Sequence, residues 1–565
     1  MDKNTTSVLN SLRMGGALVV TAALALFFLL QSRSLWGSPT LVADRWPDIF
    51  YPLRGALPQE WIAAPRNSLA GTMSAIAFVL IAALWTAAYL WTLRRLFAGP
   101  SPSRKGPRSI LARILGVTTV ILLLFFVVPG MFSGDLFSYI SYGRMSTLYG
   151  DNPLVSTPGD YAWYDKQEWI QWVVWQQTPS AYGPVWVGLA HLLSRLANAL
   201  DGDIVTHLLA HKALASAAHL VNIMLLWKVA GLVLSRYWFI SVRDMLPANA
   251  YRDSLRAAVT LTYAWNPLAL IEFGISGHND VLIITCLLGA LWLHLEGHWR
   301  ATVILITLGG LIKVTAFIFL PGYLWLLFWE GRGSARKRKS GLVDSLRPLQ
   351  GFLIAVVACV IAYLPWWAGA KTLAHLSGGP AAHFSIHSLG AILRYNVADG
   401  LAIIASWLDW QPAAFWSAAE VGRRLDWPTR WGLLAISGTA AALVTWKART
   451  FPSMVSAWGW ALFSYLTIGS VWYWPWYATW LLVPAALYGP GRLYTAVQIL
   501  CVSSLAVYAV WPALAPPLDW LAEWTGLIVA VPPLAYLGLS GILGRSRVTE
   551  KSHVQQDQPL PRSVN

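Results

Sequence analysis

Apolar runs of helix-spanning length recur from residue 14 to residue 543, and little between them is long enough to fold by itself. Alternating segments of strand type are absent, so a closed barrel is excluded. Helices, which satisfy their own backbone hydrogen bonds, are what remains in lipid. With 56% of 565 residues hydrophobic, 12% charged and a mean hydropathy of +0.52, the chain reads as an all-α polytopic transmembrane helix bundle.

The net charge of +15 would suggest nucleic acid in a soluble protein. Here Lys and Arg gather in short loops, so they read as topology signals and lipid-headgroup contacts, and no nucleic-acid partner is expected. Residues 94–113, 330–347 and the tail from Arg545 are the most basic segments and are assigned to the cytoplasm. The expected spans, about 14 in all, are 14–31, 70–93, 110–129, 208–235, 257–274, 280–296, 301–314, 316–329, 350–367, 430–447, 453–472, 475–490, 493–513 and 525–543. Both ends then lie inside. Segment 386–408 is apolar, but a crossing there would put the basic tail outside, so it is read as interfacial or re-entrant. Cys286, Cys359 and Cys501 lie within apolar runs, which argues against a disulfide framework or a metal site.

On this map the stretch 130–207, the turn at 275–279, the break near Lys313, 368–429 and the "WYWPW" turn at 472–476 all face outward. Two segments of the first loop have helical spacing suited to the membrane surface. One is "WYDKQEWIQWVVWQQ", with Trp169, Trp172 and Trp175; the other starts at Gly183 and is interrupted by His191 and Arg195.

Polar groups collect on that outward side. Asp135, in "FSGDLFSYISYGRM", follows directly on an apolar run, where partial desolvation strengthens a carboxylate as a base; the plainer reading is a helix-start acid. Tyr139 lies one turn on. Arg144 is placed either to meet an anion or to order the loop by pairing with Asp135 or Asp151. In "WNPLALIEFGISGHNDVL", Glu272 sits within an apolar helix, and His278, Asn279 and Asp280 crowd the next turn. Helix capping explains one of these groups but not four. A second acid, Asp280, with His278 or Asn279 on a sugar hydroxyl, is the functional reading. Lys313 interrupts an apolar stretch at a cost of about 3 kcal/mol if unpaired, so it should meet an anion such as phosphate or else snorkel to the headgroups. Tyr182 in "YGP" marks a rigid turn, and His387 and Arg394 come from another outward loop. There is no P-loop, GxGxxG, HExxH, CxxC or GxSxG signature.

The order "GDLFSYISYGRM…YGDNPL", "SAYGPVW", "WNPLALIEFGISGHNDVL" and "LGGLIKVTAFIFLPGYLW" resembles the actinobacterial polyprenol-phosphomannose-dependent α-1,6-mannosyltransferases of the GT-C superfamily. The resemblance implies a sugar, mannose in those enzymes, transferred with inversion at the anomeric carbon from a polyprenyl-phosphate donor to a glycan or lipid-linked acceptor. The site would lie on the extracytoplasmic face of the cytoplasmic membrane. Asp135 matches the catalytic base and Asp280 the assisting acid. Tyr139, Arg144, Tyr182, His278, Asn279, Lys313 and Arg394 would contact substrate, with Lys313 or Arg144 on the leaving phosphate. No divalent metal or other cofactor is required. Trp163, Trp172 and Trp472 are candidates to stack on sugar rings. The chain then divides into a two-helix extension (1–109), a GT-C-like core (110–330), further transmembrane helices (331–544) and a disordered cytoplasmic tail (545–565). The competing readings are a transporter or flippase, which predicts internal repeats and polar groups at mid-membrane that the sequence lacks, and a non-catalytic scaffold.

Overall fold

The computed structural model describes residues 8–31, 41–56, 68–98, 107–129, 131–161, 170, 172–237, 248–335, 344–378, 384–514 and 516–556. Among them the protein is a bundle of helices without a strand, apart from two isolated bridges, Ala368 with Ala370 and Ile386 with Trp472. Among the described residues nine helices are long and apolar enough to cross a membrane, or ten if Pro267–Ile275 and Asp280–Leu295, bent by 118°, form one broken span. Several of the expected fourteen spans are shorter pieces here. Residues 475–490 form a 3-10 turn, Pro475–Leu481, followed by the short helix Leu482–Tyr488. Residues 257–274 end in a π-helical segment, Ile271–Ile275. Segment 386–408, expected at the interface, holds the helical stretch Leu389–Trp407, which has the length and apolarity of a span.

The first two spans are packed into the bundle. Helix Val8–Leu29 lies against Leu69–Phe97 and Pro107–Phe126. At Gly15 an added Cβ would stand 1.9 Å from Thr92 Oγ1, so the missing side chain sets the approach of the two helices. From Leu69–Phe97, Tyr89 donates to the Thr262 carbonyl at 2.8 Å and bonds Gln498 at 3.1 Å, joining it to Ala248–Ala264 and Arg492–Ala513. The last helix runs Thr525–Gln556, into the segment expected to be a disordered tail.

Three local features place the outward polar groups. Asp135 opens the helix Asp135–Leu148, which packs on Pro184–Leu200, itself amphipathic with Leu192, Leu196 and Leu200 exposed. Gly277, at φ +65°, reverses the chain between the π segment and Asp280–Leu295, a conformation that glycine adopts without steric cost. Lys313 is extended, at φ −148° and ψ 120°, between Trp299–Ile312 and the 3-10 turn that begins the next span. Of the proposed surface segment "WYDKQEWIQWVVWQQ", residues 163–169 and 171 lie outside the described residues, Trp163 and Trp169 among them, and 172–177 lacks a regular helix.

Candidate active site

A cavity of about 440 Å³ is lined by Ser133, Asp135, Tyr182, Lys313 and Thr315 from the first half of the chain, and by His375, Phe384, Ser385, Trp472, Trp474, Trp476, Tyr477 and Trp511 from the second. Trp175 lines it as well and reaches across to Trp472 and Phe384, with ring centroids 5.7 and 6.2 Å apart. Segments 384–388 and 471–473 are tied at its edge: Ile386 N donates to the Val471 carbonyl at 2.9 Å, and Tyr473 N to the Ile386 carbonyl at 3.1 Å.

Asp135 is held at the cavity by its own backbone N–H, which donates to Ser133 Oγ at 3.1 Å, and by Tyr182, whose hydroxyl donates to Oδ2 at 2.9 Å. Its side chain is 15% exposed. Desolvation raises its pKa from the usual carboxylate range to about 6. The Lys313 charge and the Tyr182 hydrogen bond oppose that rise, and the charge of Asp280 adds to it. Burial, followed by the neighbouring Asp135 charge, pushes the Tyr182 and Tyr139 hydroxyls well up, so both remain donors at neutral pH.

Lys313 is 8% exposed and meets the anion that its cost demands: Nζ donates to Asp280 Oδ1 and Oδ2 at 3.2 and 3.1 Å. Trp480 Nε1 donates to the same Oδ1 at 2.9 Å. The ammonium also lies over the rings of Tyr477 and Tyr182, at 4.4 and 5.5 Å, where the π faces favour a cation. Asp280 itself is fully buried and is absent from the cavity lining. It acts on the cavity through Lys313.

Behind Asp135 lies a second layer. His278 is fully buried, stacked on Trp476 at 3.9 Å, with Nδ1 4.0 Å from Asp135 Oδ2 and Nε2 3.5 Å from Glu272 Oε2. Tyr139 donates to Asn279 Oδ1 at 3.2 Å and packs edge-on against Tyr182 and Trp186, at 5.1 and 4.7 Å. Tyr139, His278 and Asn279 therefore support the lining without belonging to it. Arg144 and Arg394 lie outside the cavity lining. Arg144 reaches the Gly202 carbonyl and His207 Nε2, each at 3.4 Å, and burial lowers its pKa; Arg394 pairs with Asp426 at 2.9 Å. Trp172 packs at a tilt against Phe137, with ring centroids 5.6 Å apart. Among the described residues, no three His, Cys, Asp or Glu side chains gather as metal ligands would.

Residues 50–329 match the family described as Alpha-(1->6)-mannopyranosyltransferase, N-terminal domain. Alpha-(1->6)-mannopyranosyltransferase B of Corynebacterium glutamicum is 25% identical over 452 residues, covering 75% of this chain and 67% of that protein. Alpha-(1->6)-mannopyranosyltransferase A of Mycobacterium tuberculosis is 24% identical over 361 residues, covering 58% of this chain and 62% of that protein. The chain is a relative of these mannosyltransferases. The matched stretches span about two thirds of each relative's length, and together with the apolar helices they support a membrane glycosyltransferase.

In this mannosyltransferase relative the residues that sequence reasoning passed over are Tyr477, Trp480, Trp474 and Trp511. All four come from the second half of the chain. Trp474 lies in the "WYWPW" turn noted as outward-facing, but nothing in an indole's spacing says that Trp480 will reach a carboxylate 200 residues earlier.

Proposed function

We propose that the protein transfers a hexose, mannose on its kinship, with inversion from a polyprenyl-phosphate donor to a glycan or lipid-linked glycan acceptor at the outer face of the cytoplasmic membrane. One observation carries the proposal: a carboxylate poised as a base, Asp135, and a charge-compensated ammonium, Lys313, line one cavity of ligand size. Such a donor stays dissolved in lipid, so its phosphosugar bond has to be broken at the membrane boundary.

In this reading Asp135 takes the proton from an acceptor hydroxyl as its oxygen attacks the anomeric carbon on the face opposite the phosphate. The bond from that carbon to the phosphate oxygen breaks, and its electron pair leaves with the polyprenyl phosphate. Lys313, held by Asp280, offsets the charge growing on that oxygen, a stabilisation that gains weight where water is scarce. A pKa of about 6 leaves Asp135 ionised at neutral pH while keeping it close to the basicity a proton acceptor needs. The indoles of Trp472, Trp474 and Trp511 offer flat apolar faces for the acceptor's sugar rings. The leaving group is already an anion of a fairly strong acid, so the reaction requires no divalent metal.

The test is reconstitution of the purified protein in liposomes with polyprenyl-phosphate mannose and a short mannoside, in the presence of a chelator. The expected outcome is a covalently extended mannoside. Substrate accumulation inside the vesicles without a covalent product would replace this reading with a transporter.

A further inference from the structure

Lys313 alone is a lean provision for an anion. Among the described lining residues it is the one Lys or Arg, its charge is already shared with Asp280, and Asp135 adds a negative charge nearby. A phosphate resting there therefore needs neutral donors, which stabilise an anion without adding a second buried charge. Several lining groups have no proton to give. His375 Nδ1 lies 2.6 Å from the Thr372 carbonyl and so carries its proton there, while Nε2 faces the Tyr363 hydroxyl at 3.4 Å. Thr178 donates to the Trp175 carbonyl. Of the two tyrosine rings beneath the ammonium, Tyr182 gives its proton to Asp135.

The other ring is Tyr477, half-buried at the cavity wall, with Lys313 Nζ 4.4 Å from its centroid. Trp472, whose indole N–H can only donate, hydrogen-bonds the phenol oxygen. The phenol's own proton has no acceptor among the described residues. Tyr477 lies in the 3-10 turn Pro475–Leu481, where its backbone N–H donates to the Trp474 carbonyl at 3.1 Å. The same turn carries Trp480, which holds Asp280. One turn thus sets the hydroxyl against the Lys313–Asp280 pair.

We propose that Tyr477 is a further catalytic residue, whose hydroxyl donates to the polyprenyl phosphate beside Lys313 as that phosphate leaves the sugar. This rests on the donor reading above, and Tyr477 lies beyond the stretch that the family match covers. A phenol ionises near pH 10, so the hydroxyl keeps its proton at neutral pH. As the bond to the anomeric carbon breaks, its electron pair stays on the phosphate, and a donor fixed beforehand gains strength with the growing charge. The free polyprenyl phosphate, a monoester, carries more charge than the sugar-bearing diester. Loss of the hydroxyl should therefore weaken the released lipid phosphate more than the donor.

Tyr477→Phe keeps the ring under Lys313 and removes only the hydroxyl. Native mass spectrometry of the purified full chain compares two ligands, polyprenyl phosphate and the uncharged polyprenol of the same length. Affinity for the phosphate form should fall by about tenfold or more, the effect of losing a hydrogen bond to a charged group, while the polyprenol binds as before. In the transfer assay kcat should fall, with the mannoside KM and the acidic limb of the pH–rate profile in place. Unchanged affinity for polyprenyl phosphate overturns the proposal. So do equal losses for both lipids, which assign the residue to packing, and a raised mannoside KM alone, which puts the hydroxyl on the acceptor. A wild-type protein that binds polyprenyl phosphate through Tyr477 but transfers no mannose would sink the transferase reading and leave this contact standing. Normal transfer with unchanged affinity in Tyr477→Phe would do the reverse.

Discussion

The backbone N–H of Gly183 donates to the carbonyl of Ile312 at 3.0 Å, which fastens the turn carrying Tyr182 to the break carrying Lys313. The base's hydrogen-bond donor and the cavity's cation are thus set by one backbone contact. A Cβ at Gly183 would stand 2.2 Å from the Leu311 carbonyl oxygen, closer than any side chain tolerates. Gly183→Ala should lower stability by about 1–3 kcal/mol, the range of overpacking, and reduce transfer more than other alanine substitutions in the loop. Thermal unfolding in detergent, paired with a transfer assay, checks both effects.

Asp280 meets the cavity through Lys313, so under the proposed mechanism its removal should act on donor binding. Asp280→Asn leaves a buried ammonium without its anion, at a cost of about 3–5 kcal/mol, and frees Lys313 to leave its place. The donor KM should rise. Pairing it with Lys313→Met should recover thermal stability while transfer stays low, since the charge facing the phosphate is gone. Full transfer by the double variant would remove Lys313 from the mechanism.

The hydrogen bond from Tyr182 stabilises the ionised form of Asp135 and opposes the rise caused by desolvation. If Asp135 is the base, transfer should be present above a pH of about 6 and lost below it. In Tyr182→Phe the pKa should climb further, moving the acidic limb up by about one unit, with activity near pH 8 largely kept. The stability sign is opposite to that of a salt-bridged acid: a carboxyl whose folded pKa is raised detracts from stability as pH climbs past its ordinary value. A pH–rate series on the variant reads the shift directly.

The membrane bundle was legible because hydropathy is a one-dimensional property, and the positions of Asp135, Asp280 and Lys313 followed from where polar groups interrupt it. The count of spans was less so. Lys313 and the π segment at Ile271–Ile275 break apolar runs into bent pieces that composition cannot tell from straight helices. The roles within the site were also hidden. Asp280 looked like a second reacting acid, yet its carboxylate is occupied by Lys313 and Trp480. Arg144, open between meeting an anion and ordering the loop, reaches Gly202 and His207. Such assignments depend on contacts between residues tens to hundreds of positions apart, where sequence spacing carries no information.

The second half of the chain supplies most of the aromatic lining, and Trp474 is the substitution that tests its use. Its ring lies parallel to Trp476 at 4.9 Å, and Trp476 in turn stacks on His278. Trp474→Ala should raise the KM for a mannoside acceptor by about tenfold, the effect of losing roughly 1.4 kcal/mol, and leave the donor KM within twofold. Equal losses for both substrates would assign these indoles to packing.

In the proposed reaction Asp135 removes the acceptor's proton during transfer from a lipid-phosphate sugar. Asp135→Asn, reconstituted with polyprenyl-phosphate mannose and a mannoside, keeps the shape and the Tyr182 contact but cannot take a proton. Transfer should fall by about 10² to 10⁴, the usual worth of a general base, while the donor still binds. A variant that extends the mannoside at the wild-type rate would show that Asp135 is not the base.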